Sequence, residues 1–277
     1  MKVVQRPAAL RLRPFVKTIW ASSETAEDVR ARPARERVLP SGDMHLVFRL
    51  SDHPLEVFAD ADTRTGTTFA HAVVGGARSG AYVREVSEPL CSVGAELRPG
   101  ASEALFGVPA DELAERHTSL ADLWGHAAGE ARERFLEAEG LEERIALFEH
   151  LLAGRLPRVQ GVHPAVAAAL ERFSVTDDVD EAVRESGYSH RRFIALFRSA
   201  VGLAPKLYCR VRRFYSAVGR LAAEPSAGLV DVALDAGYAD QPHLSRDFRE
   251  FSGVTPGAYR RIAPSSPHHV PIPRSRR

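Results

Sequence analysis

The spacing of apolar positions changes partway along the chain, near Pro99. Before that point, apolar residues fall in runs of strand length at 44–50, 55–58, 71–74 and 91–97, punctuated by Gly, Pro, Asp and Ser. The pattern predicts a small antiparallel barrel or sandwich. Beyond it, apolar residues recur at helical spacing. Helices are predicted at 101–106, 120–124, 127–139 and 141–152, the last with Ile145, Phe148 and Leu152 on one side. Residues 154–161 are polar and rich in turn formers, so a boundary is placed there, dividing an N-terminal domain (1–157) from a C-terminal one (160–263). From 264 to 277 Pro, Ser, His and Arg dominate, which predicts a disordered basic tail. The fold class is α+β: a mainly β N-terminal domain with following helices, then an all-α domain.

Residues 177–262 repeat themselves. In the first copy Gly187-Tyr188 is followed by Phe193, Phe197, Gly202 and Pro205. In the second, Gly237-Tyr238 is followed by Leu244, Phe248, Gly253 and Pro256. The first pair of glycines is 50 residues apart and the later landmarks are 51 apart, so one extra residue sits in Asp240-Gln241-Pro242. Each copy reads as a short helix ending at a Gly that supplies a left-handed C-cap. A second helix then starts after an N-cap of suitable type, Ser189 or Asp240. It ends near Gly202 or Gly253, and Pro opens the next helix, where a missing N–H costs nothing. Helix, Gly turn, helix is the helix-turn-helix arrangement.

On a helical wheel, Phe193, Leu196, Phe197 and Ala200 share one face of the first copy's second helix, with Arg191, Ala195 and Arg198 opposite. In the second copy Leu244, Phe248 and Phe251 form the apolar face and Arg246 points away. An arginine-bearing outer face on this helix is where a major-groove reader sits.

These residues resemble the AraC/XylS-type DNA-binding domain. The resemblance rests on Gly237-Tyr238-Ala239-Asp240, on Leu244-Ser245-Arg246-Asp247-Phe248 and on residues 253–260. In the first copy it rests on Phe197-Arg198, residues 202–205, Tyr208, residues 212–214 and Ala217, and it covers about residues 163–262. It implies seven helices and double-stranded DNA as partner. The recognition helices would be about 189–201 and 240–252, joined by a long helix at about 205–223. At ~1.5 Å per residue the long helix spans roughly 28 Å, close to one DNA turn of ~34 Å. The resemblance further implies that His190, Arg191, Ile194, Gln241, His243 and Arg246 read bases. Arginine suits this role because it can donate two hydrogen bonds to guanine. Ala195 departs from the family, where a basic residue is usual, so Arg191 or Arg192 would compensate or the first unit would read less. Lys206, Arg210, Arg213 and Arg249 are candidates for phosphate contact. The family's N-terminal part senses a small molecule or mediates dimerisation, so an effector and a homodimer are implied.

Charge sharpens this picture. Residues 160–277 carry 17 Lys+Arg against 12 Asp+Glu, whereas residues 1–159 carry 20 against 24. A basic module joined to an acidic one fits a polyanion-binding domain fused to something else. Cys91 and Cys209 lie far apart, with no disulfide or zinc pattern. No apolar run of about 18 residues appears, and the first residues lack a secretory apolar core. A cytoplasmic, nucleoid-associated protein is expected, with no membrane partner.

No catalytic residue, metal or cofactor is expected. The alternative is a metal-dependent or small-molecule-binding cupin-like protein whose helical C-terminus is only an interaction platform. Asp43 and His45, with His53 and His71, would build that site, and Trp20, Trp124 and Phe48 could line a pocket. Cys91 in an apolar strand reads as packing.

Overall fold

The computed structural model describes residues 1–30, 33–156 and 161–272. The expected domain boundary at 157–160 lies outside the described residues. The chain opens with β1 (Lys2–Pro7), β2 (Val16–Ser23), a short helix α1 (Ala26–Arg30), β3 (Arg35–Val38) and β4 (Met44–Arg49). There follow β5 (Glu56–Phe58), β6 (Thr67–Thr68), β7 (Ala72–Gly75), β8 (Tyr82–Glu85) and β9 (Cys91–Leu97). Next come α2 (Ala101–Phe106), α3 (Ala110–Leu113), β10 (His117–Ser119), α4 (Ala121–Trp124), α5 (Ala127–Glu137) and α6 (Leu141–Arg155).

The strands form two sheets, in the orders β1-β2-β9-β4-β7-β10 and, with a strand from the far C-terminus, β11 (His269–Ile272)-β3-β8-β5-β6. Among the described residues each sheet keeps two open edges, so of the expected alternatives the sandwich is observed and the closed barrel is not. Alternation along β4 explains the layering. Met44, Leu46 and Phe48 are buried on one face, where Phe48 meets Phe135 of α5 at 5.0 Å and Phe148 of α6 at 5.7 Å between ring centroids. His45, Val47 and Arg49 turn the other way, toward the space between the sheets.

The C-terminal domain has α7 (Pro164–Arg172), α8 (Val179–Ser186), α9 (His190–Val201), α10 (Pro205–Ala223), α11 (Leu229–Asp235), α12 (Gln241–Ser252) and α13 (Pro256–Ile262). The caps are those expected. Ser189 Oγ accepts from Arg192 N and Asp240 Oδ1 from His243 N, and the chain leaves α8 and α9 through left-handed Gly187 and Gly202. The two units build matching aromatic clusters on α10. Phe197 packs on Phe173, Phe193 and Tyr208, while Phe214 packs on Phe248 and Phe251.

The tail corrects one expectation. Residues 269–272 are not disordered but pair antiparallel with β3, from His269↔Val38 to Ile272↔Arg35. Val270 is buried, His268 stacks on Tyr215 of α10 at 4.0 Å, and Tyr259 Oη donates to Pro267 O. The open edge of β3 supplies backbone partners that composition does not reveal.

Candidate functional site

The outer faces of α9 and α12 form the first candidate surface. His190 and Arg191 are exposed and Ile194 is half-buried. On α12 Arg246 is exposed, while Gln241 and His243 are half-buried. His243 is braced edge-on against Tyr238, 5.0 Å between ring centroids. Opposite faces carry the apolar residues that fix each helix: Phe193 and Phe197 on α9, Leu244, Phe248 and Phe251 on α12. Ala195 is exposed between Arg191 and Arg198, so the outer face of α9 is less basic at its centre.

The four cations proposed for phosphate contact divide. Lys206 and Arg249 are exposed and carry no ion pair among the described residues. Arg210 and Arg213 are engaged inside the domain instead. Arg210 Nη2 donates to Asp247 Oδ1 at 2.8 Å and to Glu250 Oε2 at 2.6 Å, which ties α10 to α12. Arg213 pairs with Asp177 at 3.1 Å, donates to Gly237 O, and lies over the Tyr238 ring. It therefore joins the first unit to the turn of the second. The acidic partners are distant in sequence, which is why both arginines read there as free cations.

The second candidate is a cavity of about 780 Å³ between the two sheets. The first sheet contributes Trp20, His45, Val47, Arg49 and Glu96; the second contributes Glu36, Tyr82, Arg84 and His269. Two ion-pair groups brace its walls. Arg84 and His269 converge on Glu36, the histidine at 2.8 Å. Burial alone would raise the Glu36 pKa, but Arg84 and His269 outweigh it and hold the carboxyl well below the usual range. At the other end Lys17 Nζ reaches Glu96 at 2.7 Å and Asp43 at 3.3 Å. Burial, with the hydrogen bond to Glu96, pushes Asp43 up, while hydrogen bonds from Asp43 and Lys17 hold Glu96 down.

Of the residues weighed for a cupin-like site, Asp43 and His45 line this cavity, while His53 and His71 do not. His71 Nε2 instead faces Asp52 O at 3.1 Å. Trp20 lines the cavity; Phe48 and Trp124 belong to the helix-covered face, where Trp124 Nε1 donates to Leu105 O. Cys91 accepts from Arg144 Nη1 at 3.1 Å. Sequence reasoning missed Arg49, Arg78, Arg84, Glu36, Tyr82 and His117 as cavity residues. The readable signal was the charged alternate position in β4, His45-x-Val47-x-Arg49.

Burial, reinforced by Arg78 and Arg84, holds His117 at a pKa of about 3. The folded chain therefore keeps this ring neutral while the unfolded chain protonates it near 6.5. Its contribution to stability is complete above pH 6.5 and is lost as the pH falls toward 3. Asp43, with its raised pKa, works in the opposite sense, so the comparison of variants isolates the histidine. Urea unfolding at pH 7.5 and 5.0 should show a smaller acid loss in His117→Gln than in the wild type. Equal losses would refute the assignment.

One loop touches both candidates. Residues 76–81 join β7 to β8, and Arg78 and Tyr82 face the cavity. Ala81 N donates to Phe251 O, near the end of α12, at 3.0 Å. Ala77 lies against Gly202, which caps α9 with φ +93°; a Cβ there would stand 3.0 Å from Ala77 Cβ and 3.2 Å from Ala110 O. Gly202 thus serves both a left-handed cap and a close approach between domains.

Comparison with known proteins bears on both ends of the chain. A family described as "Helix-turn-helix domain" matches residues 182–262, and one described as "Domain of unknown function (DUF6597)" matches residues 5–119. The chain is similar to the HTH-type transcriptional regulator GbdR of Pseudomonas aeruginosa, 28% identical over 114 residues, which are 41% of this chain and 30% of that one. It thus spans under a third of the length of that curated relative. Among solved structures, the DNA-binding domain of AdpA in complex with a target DNA is 32% identical, covering 35% of this chain and 86% of that one, with a TM-score of 0.31. ToxT from Vibrio cholerae is 9% identical, covering 85% of this chain and 95% of that one, with a TM-score of 0.46.

Proposed function

The chain carries an AraC-type helix-turn-helix domain at its C-terminal end, and from that premise we propose that it is a sequence-specific DNA-binding transcription regulator whose N-terminal domain binds a small-molecule effector. The observation that carries this reading is the pair of capped helices, α9 and α12, each fixed by an aromatic cluster on α10 and each presenting an exposed arginine outward. The named base readers are His190, Arg191 and Ile194 on α9 and Gln241, His243 and Arg246 on α12. Arg246 has the exposure that bidentate contact with guanine requires, and it makes no ion pair among the described residues. Lys206 and Arg249 are the phosphate contacts this reading retains. The 780 Å³ cavity is of the size that takes a small molecule.

Two connections link cavity to DNA surface in this proposal. The 76–81 loop holds the C-terminal ends of both recognition helices. The segment after α13 lines the cavity through Ser265, Ser266 and His269 and closes it as β11. A ligand that shifts either element would change how α9 and α12 are presented.

The test is selection of bound fragments from randomised DNA by the full-length chain. An enriched motif is expected, with two elements if both units read. Arg246→Ala should lose about 1–3 kcal/mol at the preferred site, with little change on random DNA. Absence of enrichment at low salt, where phosphate contacts are strongest, would overturn the reading. Full site preference in the variant would remove Arg246 from it.

A further inference from the structure

We propose that the cavity between the sheets takes a small organic anion and that Arg49 is the counter-ion for its charged group. The proposal rests on the effector reading above and adds the chemistry of the ligand. Arg49 closes β4 and faces the cavity, yet only 7% of its surface is exposed. Its guanidinium makes no hydrogen bond or ion pair with any described residue, and Nε is fully enclosed without a partner. Burial, with the nearby charge of Arg84, pushes its pKa down to about 10, so it stays charged at neutral pH. A buried charge without a partner is costly, and sites that bind ligands are where such a cost is retained.

The surrounding charges leave no internal partner for it. Glu36 is taken by Arg84 and His269. Glu96 and Asp43 are taken by Lys17. Glu24 accepts Leu90 N at 2.9 Å and is the weakest of the charges that act on Arg49. Arg78 also faces the cavity without an ion pair; its guanidinium lies over Tyr82, 4.5 Å from the ring centroid, beside His117 Nδ1. Among the described residues the cavity therefore presents two guanidinium groups that make no ion pair, Arg49 and Arg78, while its carboxylates Glu36, Asp43 and Glu96 are paired with other cations and Glu24 accepts Leu90 N. Trp20, Val47, Val73 and Tyr82 give the cavity an apolar and aromatic stretch of wall, beside hydroxyls such as Ser265 and Ser266. This arrangement fits a carboxylate, sulfonate or phosphate carried on an apolar or aromatic body, bound by charge-assisted hydrogen bonds to Arg49.

The test uses the full-length chain and two fluorescent probes that share an aryl frame, anilinonaphthalene sulfonate and the uncharged phenylnaphthylamine. The sulfonate is expected to bind saturably at one site per chain. Arg49→Gln should weaken it by about tenfold or more, the loss of a charge-assisted hydrogen bond, and should change the neutral probe less than about twofold, since an apolar contact owes nothing to the charge. Failure of the sulfonate to bind, equal binding by the variant, or equal weakening of both probes would overturn the proposal.

A second measurement keeps a folding role distinct. Arg49→Met replaces an unpaired charge by an apolar chain of similar length, so the probe-free midpoint of thermal unfolding should hold or rise. A fall would assign Arg49 to structure and overturn the proposal. Both variants should retain the selected DNA motif when no probe is present. Failure of the wild type to bind the sulfonate while it still selects DNA counts against the anion site alone, whereas failure of the wild type to select DNA counts against the regulator reading alone.

Discussion

Arg210→Ala is expected to lower the stability of the chain by about 3–5 kcal/mol, because it strands a buried carboxylate. Asp247 is 4% exposed and accepts one hydrogen bond, from Arg210; its other oxygen is enclosed and unpaired. Arg210 also reaches Glu250 and lies 4.9 Å from the Phe251 ring centroid. One side chain on α10 thus holds three successive points of α12. Alanine removes the partner but leaves the charge, and the cost of an uncompensated buried charge exceeds the net worth of the pair.

The double variant Arg210→Met/Asp247→Leu removes both members and should recover most of the loss, as apolar replacements of buried pairs do. Chemical unfolding of the three proteins measures this. A single-variant loss under about 1 kcal/mol, the scale of a surface pair, would show that Asp247 finds water or another donor. The consequence for function follows from position. Arg246 stands next to Asp247 on the same turn, so a loosened α12 misplaces the proposed base reader. Arg210→Ala should weaken binding to the selected DNA motif, and the double variant should restore it.

Much of the C-terminal domain was legible because its signals are local. A Gly at a left-handed cap, Ser189 or Asp240 at an N-cap and a Pro opening α10 or α13 act within a few residues. The partners of Arg210 and Arg213 were not legible. Asp247 lies 37 residues from Arg210, and only the packing of α12 on α10 brings them together. The N-terminal half shows the same division. β4 and β9 could be read from their apolar runs. β2 could not, because a register shift between Val16 and Thr18 breaks its alternation. β3 could not either: its residues are all half-buried, and Glu36 faces inward to meet Arg84. Polar side chains turned toward a cavity carry the same pattern as side chains turned toward solvent. For that reason Arg84 stayed hidden, while the returning strand β11 stayed hidden because its partner is the backbone edge of β3.

Phe48→Ala is expected to cost about 3–5 kcal/mol, the usual range for emptying a large aromatic from a packed core. Phe48 has no exposed surface, and its ring meets Phe135, Phe148 and Trp124 at 5.0, 5.7 and 6.4 Å between centroids. It is the point where β4, α4, α5 and α6 converge. β4 is interior to its sheet, between β9 and β7, so neither neighbour can collapse far into the gap. The chain offers a way to see where the damage goes. Both tryptophans, Trp20 and Trp124, belong to the N-terminal domain, so their fluorescence follows that domain, while the helical circular dichroism draws heavily on the other.

The domains share backbone hydrogen bonds, Gly100 N to Ala200 O at 2.9 Å and Ala81 N to Phe251 O at 3.0 Å, and β11 belongs to both. In urea the two signals of Phe48→Ala should therefore shift together. A fluorescence transition that moves by less than about 1 kcal/mol would mean the site collapses more fully than its rigid neighbours allow. A fluorescence shift with an unmoved helical signal would show that the two domains unfold independently. In that case the shared hydrogen bonds and β11 would be too weak to carry a ligand's influence from the cavity to α9 and α12.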